Sequence, residues 1–347
     1  MAFKITLRPS GHAFSCAGDA TVLSAGLAAG LFMPYNCRSG VCNTCRGRVV
    51  EGKVDFGAVH PSYLTEDDKA HGYALLCQAR PTTDLIVELH ELAEHEMLRP
   101  KTTLARLLRS ERLAPDVARL VLGLPPNEPV IFRAGQYLDL DCGNGVRRSY
   151  SMATAPTSEG VRQLELHVRH LPGGVFTDRV FGNLKVREML KIELPLGTFY
   201  LREDSDRPMV MLASGTGFAP IKSIVEHSLQ KGLRRPIVLY WGGRRRADLY
   251  MADIAAAWAG EHAHVTFVPV LSDATPDCAW SGRTGFVHRA VMADFPDLSA
   301  QQVYACGAPI MVDSARRDFT EVCRLPADEF HADSFITAAD RAAATSA

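Results

Sequence analysis

Long apolar runs and an excess of charge of one sign are both missing from this 347-residue sequence. No stretch approaches the roughly 18 consecutive apolar residues that a bilayer-spanning helix needs. The formal net charge is -1, so the composition carries no electrostatic footprint for nucleic acid or for an anionic membrane. We therefore expect no membrane segment and no nucleic-acid partner.

A secretory leader is also missing. The opening MAFKITLRPS alternates like a strand and has no hydrophobic segment followed by a small-residue cleavage site. We therefore expect a cytoplasmic protein, in which the nine cysteines do not form disulfides. In such a protein, clustered cysteines bind a metal or an iron–sulfur cluster, and scattered ones are small core residues.

The length and the residue pattern predict a multidomain chain of α+β and α/β class. Residues 1–92 begin and end with the strand-like FKITL and LIVEL, with the helical TVLSAGLAAG between them. Residues 102–205 contain short strands separated by Gly and Pro, which is typical of an antiparallel β-barrel. Residues 206–336 alternate strands with helices, which predicts a parallel, Rossmann-like sheet.

Two stretches lie outside these three segments. The charged HELAEHEMLRPK spans 90–101 and is either a linker or a short helix that caps the first domain; we take 93–101 as the linker. The Ala-rich residues 337–347 are expected to form a flexible tail.

Three cysteines fall within nine residues, in CRSGVCNTC. Cys37, Cys42 and Cys45 have C-x4-C-x2-C spacing, and 31 residues separate Cys45 from Cys77. Four thiolates can ligate two tetrahedral irons, and this is the plant-type [2Fe–2S] spacing. A structural zinc site is the alternative, although zinc sites favour paired C-x2-C knuckles and only one such pair is present.

The stretch CRSGVCNTCRG resembles the cluster loop of plant-type ferredoxins, and AGLFMPYNC resembles the approach to that loop. The resemblance implies a β-grasp fold over roughly the first quarter of the chain. Leu31, Phe32, Met33 and Tyr35 either form part of a docking face for an acceptor protein or pack inside the β-grasp.

The stretch RRSYS at 147–151 resembles the R-x-Y-S motif of the ferredoxin–NADP reductase superfamily. By that resemblance, Arg148 holds the FAD pyrophosphate through charge-assisted hydrogen bonds. Tyr150 stacks along the isoalloxazine, Ser151 approaches flavin N5, and Ser149 lies within the same binding segment. An exposed arginine pair is the alternative for so short a pattern.

A second flavin segment is HVRHLPGGVFTD. A glycine turn that precedes a helix can bind an anion, and the resemblance places this turn against the FAD phosphates; an ordinary loop is the alternative. The strand before it is expected to contact the flavin through its backbone, with the imidazole of the histidine structural. The expected cofactor-binding residues here are His167, Val168, Arg169, Gly173, Gly174, Val175 and Thr177.

The stretch MVMLASGTGFAP runs from an apolar strand into a helix. Gly215 and Gly217, with Thr216 between them, let the backbone approach a pyrophosphate at the helix N-terminus. Pro220 stands where the usual G-x-G-x-x-G has its last glycine. The stretch instead resembles the G-T-G-x-A-P signature of the same superfamily.

Two further stretches resemble superfamily motifs. YACGAP resembles C-G-x-P and puts Cys306 and Gly307 at the end of a parallel strand. The resemblance places Cys306 near nicotinamide C4, where it shapes hydride transfer without acting as a nucleophile; a plain core cysteine is the alternative. FHADSF resembles the closing segment, in which Phe335 either covers the flavin or belongs to the core.

Arg244 and Arg245, in YWGGRRRADLY, are expected at the adenosine end of the nucleotide. They are candidates for contacting the ribose, and a 2′-phosphate there would favour NADPH. A solvated basic turn is equally compatible with the run of arginines. The resemblance to oxygenase reductases favours NADH.

The order of cluster domain, flavin barrel and nucleotide domain resembles the reductase components of multicomponent oxygenases. It implies a monomeric reductase that passes electrons from NADH through FAD to a [2Fe–2S] cluster, with Ser151 and Cys306 at the hydride-transfer site. The implied acceptor is a terminal oxygenase, either a Rieske-type aromatic ring-hydroxylating dioxygenase or a multicomponent monooxygenase. A sugar-deoxygenation dehydratase is the alternative acceptor. A redox-sensing module that binds flavin and cluster without turnover is the alternative of another class.

Overall fold

The computed structural model describes residues 1–93, 98–275 and 278–335. Contacts between Cα atoms divide the chain into two compact units, one containing Met1–Leu98 and the other Arg99–Phe335. Residues 94–97 of the predicted linker and the whole predicted tail at 337–347 lie outside the described residues. The boundaries of the three predicted domains stay predictions.

The first unit is built on a mixed sheet in the strand order β2-β1-β7-β3-β5, with β4 paired to β6. Alternation in AFKITLR directs Ile5 and Leu7 into the core. Strands β1 and β7 are parallel, and β1–β2, β3–β5 and β3–β7 are antiparallel. The elements are β1 (Ala2–Arg8), β2 (Ala13–Ala17), α1 (Val22–Ala28), β3 (Arg46–Glu51), β4 (Val54–Asp55), α2 (Glu66–Ala70), β5 (Tyr73–Leu75), β6 (Arg80–Pro81) and β7 (Leu85–Glu88).

Helix α1 packs closely on the segment that leads to the cysteine loop. Its N-terminus is capped by Thr21, whose hydroxyl accepts a hydrogen bond from the Ser24 amide at 3.2 Å. A Cβ on Gly26 would overlap the sulfur of Met33, which is fully buried. Tyr35 is buried as well.

Of the four residues considered for a docking face, Met33 and Tyr35 therefore pack inside the unit. Leu31 and Phe32 are half-buried.

The second unit begins with a six-stranded antiparallel sheet in the order β11-β10-β13-β8-β9-β12. A bridge between Met152 and Leu166 joins its two outer strands and closes the sheet into a barrel. In β12, Leu164, Leu166 and Val168 face the barrel core. The elements are β8 (Lys101–Ala114), β9 (Val117–Gly123), β10 (Tyr137–Asp141), β11 (Arg147–Ser151), β12 (Gln163–Arg169), α3 (Thr177–Phe181) and β13 (Met189–Leu196).

A six-stranded parallel sheet follows, in the order β17-β16-β15-β14-β18-β19. MVML in β14 is apolar throughout because hydrophobic clusters cover both faces of the sheet. The elements are β14 (Met209–Ser214), α4 (Phe218–Gln230), β15 (Ile237–Gly243), α5 (Ala252–Glu261), β16 (Val265–Leu271), β17 (Arg283–Thr284), α6 (Val287–Asp294), β18 (Gln302–Gly307), α7 (Pro309–Glu321) and β19 (Phe330–Ser334).

The predicted β-barrel and Rossmann-like sheet are thus confirmed. The sequence analysis singled out neither β17 nor α6; β17, a strand of two residues, has no periodicity to detect. Within the described part of the chain, no helix has the length and apolarity to cross a membrane.

Candidate functional site

The four cysteines singled out by their spacing come together in the first unit. All are unlinked; Cys42, Cys45 and Cys77 are buried, and Cys37 is half-buried. Cys37 and Cys42 share a side-chain hydrogen bond, and so do Cys45 and Cys77. The thiols therefore lie in two pairs, and among the described residues no three His, Cys, Asp or Glu side chains converge on one ion position. Two pairs fit a binuclear cluster, with two thiolates for each iron.

The backbone of the cysteine loop turns its donors toward the sulfurs. Gly40 and Asn43 adopt positive φ angles of 79° and 59°, which wind the loop tightly. The Ser39 amide donates to Cys37 Sγ at 3.4 Å. A hydrogen bond from Cys42 and these loop donors lower the pKa of Cys37 to about 5, although burial opposes the shift. The hydrogen bonds with Cys37 and Cys77, together with burial, raise the pKa of Cys42 and of Cys45, so the first pair shares one readily released proton.

Gln78 joins the distant cysteine to the loop. Its side-chain Nε2 donates to the Arg38 carbonyl at 3.1 Å and lies 3.9 Å from Cys77 Sγ. A Cβ on Gly40 would be 3.0 Å from Gln78 Cγ, so the loop packs directly on this side chain. Donors near ligand sulfurs stabilise their negative charge. These residues fit a [2Fe–2S] cluster.

In the second unit, the side chains of β11 alternate between two faces. Tyr150 packs on Phe176 of the barrel, with ring centroids 5.5 Å apart. On the other face, Ser149 Oγ donates to Asp139 at 2.7 Å. The predicted cofactor residue Ser149 thus directs its hydroxyl away from the face that carries Tyr150.

Arg148 lies on the same face of β11 as Tyr150. Its guanidinium donates to the Arg147 carbonyl at 2.8 Å. The charges of Arg148 and Arg179 act on the thiol of Cys142, although burial raises the pKa of that thiol. Arg179 is paired with Glu188, so the charge on this side of the barrel that suits a pyrophosphate is that of Arg148.

Ser151 ends β11 with a buried hydroxyl. Among the described residues, its Oγ has no hydrogen-bond partner. A buried polar group left unpaired costs about 1–3 kcal/mol. A flavin ring nitrogen at this position would satisfy the hydroxyl, so Ser151 fits a bound isoalloxazine.

The outward side chains of β12 face the nucleotide domain. His167 is fully buried, with Nε2 2.8 Å from Glu165 and Nδ1 2.9 Å from Tyr250 Oη. Burial lowers the pKa of His167, although the hydrogen bond to Glu165 opposes the shift. Arg169 lies 3.5 Å from an oxygen of Asp248 and rests on Gly215. Val168 instead contributes its side chain to the barrel core.

The glycine turn after β12 uses its amides internally. The Gly173 amide donates to Asp178 at 3.0 Å, and the Gly174 amide donates to the Leu171 carbonyl at 2.8 Å. Thr177 Oγ1 also donates to the Leu171 carbonyl, at 2.9 Å. Val175 between them is exposed. Both glycine amides, which the sequence predicted to bind a phosphate, thus donate hydrogen bonds to acceptors within the protein.

Two of the predicted nucleotide motifs meet at the carboxyl edge of the parallel sheet. Gly215–Gly217 form one turn of 3-10 helix between β14 and α4. A Cβ on Gly217 would overlap the carbonyl oxygen of Cys306. Gly307, at a φ of 145°, approaches Ser214 equally closely. Only glycine allows these backbones to pass at this distance.

Cys306 and Phe335 belong to the hydrophobic core at this edge. Burial raises the pKa of the Cys306 thiol, and the charge of Asp333 adds to the shift. The Phe335 amide donates to the Gly307 carbonyl at 2.9 Å, and its half-buried ring packs on the same core. The thiol therefore stays protonated near neutral pH and is not a nucleophile.

Two carboxylates, those of Asp248 and Asp273, lie beside the exposed arginines Arg244 and Arg245. Asp248 accepts hydrogen bonds from their two amides at 2.8 and 3.1 Å. Burial alone would raise the pKa of Asp248, but these amides and the charge of Arg169 hold it below its usual range. Arg245 Nε lies 3.5 Å from Asp273. The sequence analysis missed both carboxylates, and no spacing signal marks Asp273, which follows a different strand.

Three family profiles match successive parts of the chain. The 2Fe-2S iron-sulfur cluster binding domain matches residues 5–82. The oxidoreductase FAD-binding domain matches residues 104–200, and the oxidoreductase NAD-binding domain matches residues 211–317.

Curated relatives match nearly the whole chain. A CDP-6-deoxy-L-threo-D-glycero-4-hexulose-3-dehydrase reductase from Yersinia pestis is 41% identical, over 97% of this chain and 99% of the relative. The reductase subunit of an aromatic O-demethylase from an Amycolatopsis species is 37% identical, over 97% of this chain and 100% of the relative. The solved structure of the Amycolatopsis cytochrome P450 reductase GcoB is 36% identical, with a TM-score of 0.75 over 96% of this chain and 98% of that one.

The chain therefore belongs to the family of iron–sulfur flavoprotein reductases that combine these three domains. It is an NAD(P)H-dependent oxidoreductase that uses FAD and a [2Fe–2S] cluster, as the sequence predicted. Electrons leave such a reductase for a terminal partner protein.

Proposed function

We propose that this reductase takes electrons from NADH and delivers them singly, through a cluster held by Cys37, Cys42, Cys45 and Cys77, to a terminal oxygenase component. Bound FAD supplies a carrier that accepts two electrons together and releases them one at a time. The observation that carries the proposal is the two-pair arrangement of the four thiols, in a chain that also contains a flavin barrel and a nucleotide sheet.

The flavin side of the proposal assigns a role to each of three residues of β11. Arg148 binds the pyrophosphate, and the Tyr150 ring lies along the isoalloxazine. Ser151 orients the ring system through its otherwise unpaired hydroxyl. Ser149 and the outward strand segment from His167 to Arg169 contribute backbone contacts.

The nucleotide side uses backbone more than side chains. The turn from Gly215 to Gly217 approaches the pyrophosphate, and Cys306 with Gly307 limits where the nicotinamide ring lies. The carboxylates of Asp248 and Asp273 beside the arginines make this end unfavourable for a 2′-phosphate. This supports NADH as the preferred donor.

The substitution Cys42→Ser tests the order of electron transfer. It should abolish NADH-driven cytochrome c reduction, because cytochrome c takes its electrons from the cluster. Ferricyanide reduction should persist, because the flavin can supply this acceptor directly. Both rates are measured on the purified full chain, together with iron and FAD content.

Cys16→Ser is the matched control, since Cys16 is a buried cysteine of the same unit outside the loop. It should keep both activities. Equal loss of both activities in Cys42→Ser, with FAD still bound, would show that the cluster does not lie downstream of the flavin. A purified protein that contains zinc in place of iron would refute the cluster itself.

A second candidate for the terminal partner is a sugar dehydrase. It is favoured by the 41% identity to the Yersinia dehydrase reductase, compared with 37% for the O-demethylase reductase. Both readings use the same electron path in this chain. The reduced protein should transfer electrons at a saturable rate to one class of terminal protein and not to the other, which stopped-flow absorbance can distinguish.

We also propose that the reductase acts as a monomer, because one chain carries all three domains. Light scattering after gel filtration checks this, and a stable dimer would contradict it.

A further inference from the structure

Helix α4 links the nucleotide turn to the segment that follows the flavin strand. The turn at Gly215–Gly217 leads directly into α4, whose first residue is Phe218. Farther along the helix, three polar side chains reach backbone carbonyls of the barrel. These carbonyls belong to Ala153, Thr154 and Pro156, just after Ser151 at the end of β11.

The three contacts run side by side along the helix. Lys222 Nζ donates to the Ala153 carbonyl at 3.3 Å, and Ser223 Oγ donates to the Thr154 carbonyl at 2.7 Å. His227 Nδ1 lies 3.0 Å from the Pro156 carbonyl oxygen. We call Lys222, Ser223 and His227 the α4 clamp.

The three side chains of the α4 clamp are buried, so their polar groups need partners within the protein. All three side chains of the α4 clamp belong to residues that are less than one-tenth exposed. A buried ammonium is costly unless it is paired, and Lys222 lies 2.9 Å from Glu226 and 3.5 Å from Glu165 of β12. The ammonium group of Lys222 is therefore paired with one carboxylate of its own helix and one carboxylate of the barrel.

We propose that the α4 clamp residues are positioning residues that set the distance between the nicotinamide and the flavin. This deepens the proposed function and rests on it, because both rings must bind for the distance to matter. The clamp joins the end of the flavin strand to the helix that begins at the nucleotide turn. Removing a hydrogen bond of the α4 clamp would shift the nicotinamide relative to the flavin ring. It would not remove a contact to either cofactor.

Hydride transfer is sensitive to such a shift. Reacting atoms must lie about 3–3.5 Å apart, and a displacement of about 1 Å can cost about 100-fold in rate. Nucleotide affinity depends mainly on the turn and the adenosine end, which the clamp does not touch. The proposal therefore predicts a lower rate of flavin reduction at nearly unchanged nucleotide affinity.

Two buried serines of α4 provide a matched pair of variants. Ser223 donates to the barrel carbonyl of Thr154, whereas Ser228 donates to the Ile224 carbonyl within its own helix, at 2.8 Å. Both side chains are fully buried. Ser223→Ala should slow flavin reduction at saturating NADH several-fold, and Ser228→Ala should leave it close to wild type.

A second pair of variants tests the lysine. Lys222→Met keeps the length of the side chain and removes the charge and the donors; it should slow flavin reduction about tenfold, or more with a larger shift. Lys222→Arg keeps the charge and the donors and should recover part of the rate. The FAD content should be equal in both.

Stopped-flow spectroscopy of the full-length holoprotein measures the limiting rate of flavin reduction and the Kd for NADH. The long-wavelength charge-transfer absorbance of the stacked nicotinamide and flavin rings reports their overlap directly. A weaker charge-transfer band in Ser223→Ala and Lys222→Met, at similar Kd, supports the proposal. A merely structural role would lower the thermal midpoint and leave the band unchanged.

Equal behaviour of the two serine variants would overturn the proposal, even if Lys222→Met fails to fold. Wild-type protein whose bound FAD is not reduced by NADH would instead refute the proposed function. The two failures are therefore distinguishable.

Discussion

Arg147 and Arg148 are neighbours in the sequence that lie on opposite faces of β11. Arg147 forms an ion pair with Glu193 of β13 on the outer face of the barrel. Arg148 lies on the face of Tyr150, and its guanidinium forms no ion pair with a carboxylate of the described residues. The two arginines therefore have different roles, although the R-R pair in the sequence looks symmetric.

Arg148→Ala should weaken FAD retention, because it removes the charge proposed to hold the pyrophosphate. One charge-assisted hydrogen bond contributes about 1.5–3 kcal/mol, so the FAD dissociation constant should rise at least about tenfold. Flavin occupancy after gel filtration and a fluorescence titration of the apoprotein measure the change.

Arg147→Ala is the control and should keep its FAD, since it loses only a half-exposed ion pair. Unchanged occupancy in Arg148→Ala would remove that residue from the proposed flavin site. Equal losses in both variants would mean that the barrel is destabilised and the pyrophosphate contact is not the cause.

The turn at Gly215–Gly217, proposed to approach the nucleotide, requires two strand ends to pass very close to each other. Gly217 lies against the Cys306 carbonyl, and Gly307 lies against Ser214. The Ser214 hydroxyl also accepts a hydrogen bond from the Ala308 amide at 3.0 Å. The turn between β14 and α4 is therefore locked to the end of β18.

Gly217→Ala should lower NADH oxidation more than tenfold and reduce the thermal midpoint, because the added methyl group overlaps a backbone atom that cannot rotate away. Ferricyanide reduction by NADH and differential scanning calorimetry measure the two effects.

Gly260→Ala is the matched control within α5. Apart from the neighbouring backbone of its own helix, a Cβ there would meet no atom within 4 Å. Because glycine is a poor helix former, this substitution should stabilise the protein by about 0.5–1 kcal/mol and leave activity unchanged. Full activity and normal stability in Gly217→Ala would contradict the predicted overlap between the added methyl group and the Cys306 carbonyl.

Buried imidazoles are distributed through the larger unit and tie its stability to pH. Burial lowers the pKa of His167 and His288, and it lowers that of His331 to about 3, helped by the charge of Arg202. The ordinary histidine pKa in an unfolded chain is about 6.5. Below that pH the unfolded chain binds more protons than the folded protein, so the free energy of unfolding falls as the pH falls.

We therefore expect the larger unit to lose stability progressively from about pH 6.5 down to about pH 3, the range between the two pKa values of His331. Urea unfolding at about pH 7 and about pH 5 measures the difference. His331→Gln should flatten this dependence because its amide does not titrate. An equally steep dependence in the variant would exclude His331 as a contributor.

The ferredoxin-like loop, the barrel strands and the strand–helix alternation could all be predicted from sequence. Each is set by neighbours in the chain: three of the four cysteines lie within nine residues, and a helix or strand follows its own periodicity. Ser149 shows what local patterns leave out. It occupies the variable position of R-x-Y-S, and strand alternation turns its hydroxyl to Asp139, which only the pairing of β10 with β11 reveals.

Sequence alone thus determined the class of cofactors and the order of the domains, because short motifs encode local backbone geometry and ligand chemistry. Tertiary structure alone decided which polar groups meet across the fold. The α4 clamp joins Lys222 to a carbonyl 69 positions earlier, and Arg245 meets Asp273 from a different strand. Such contacts depend on how helices and sheets pack, and no spacing along the chain records that.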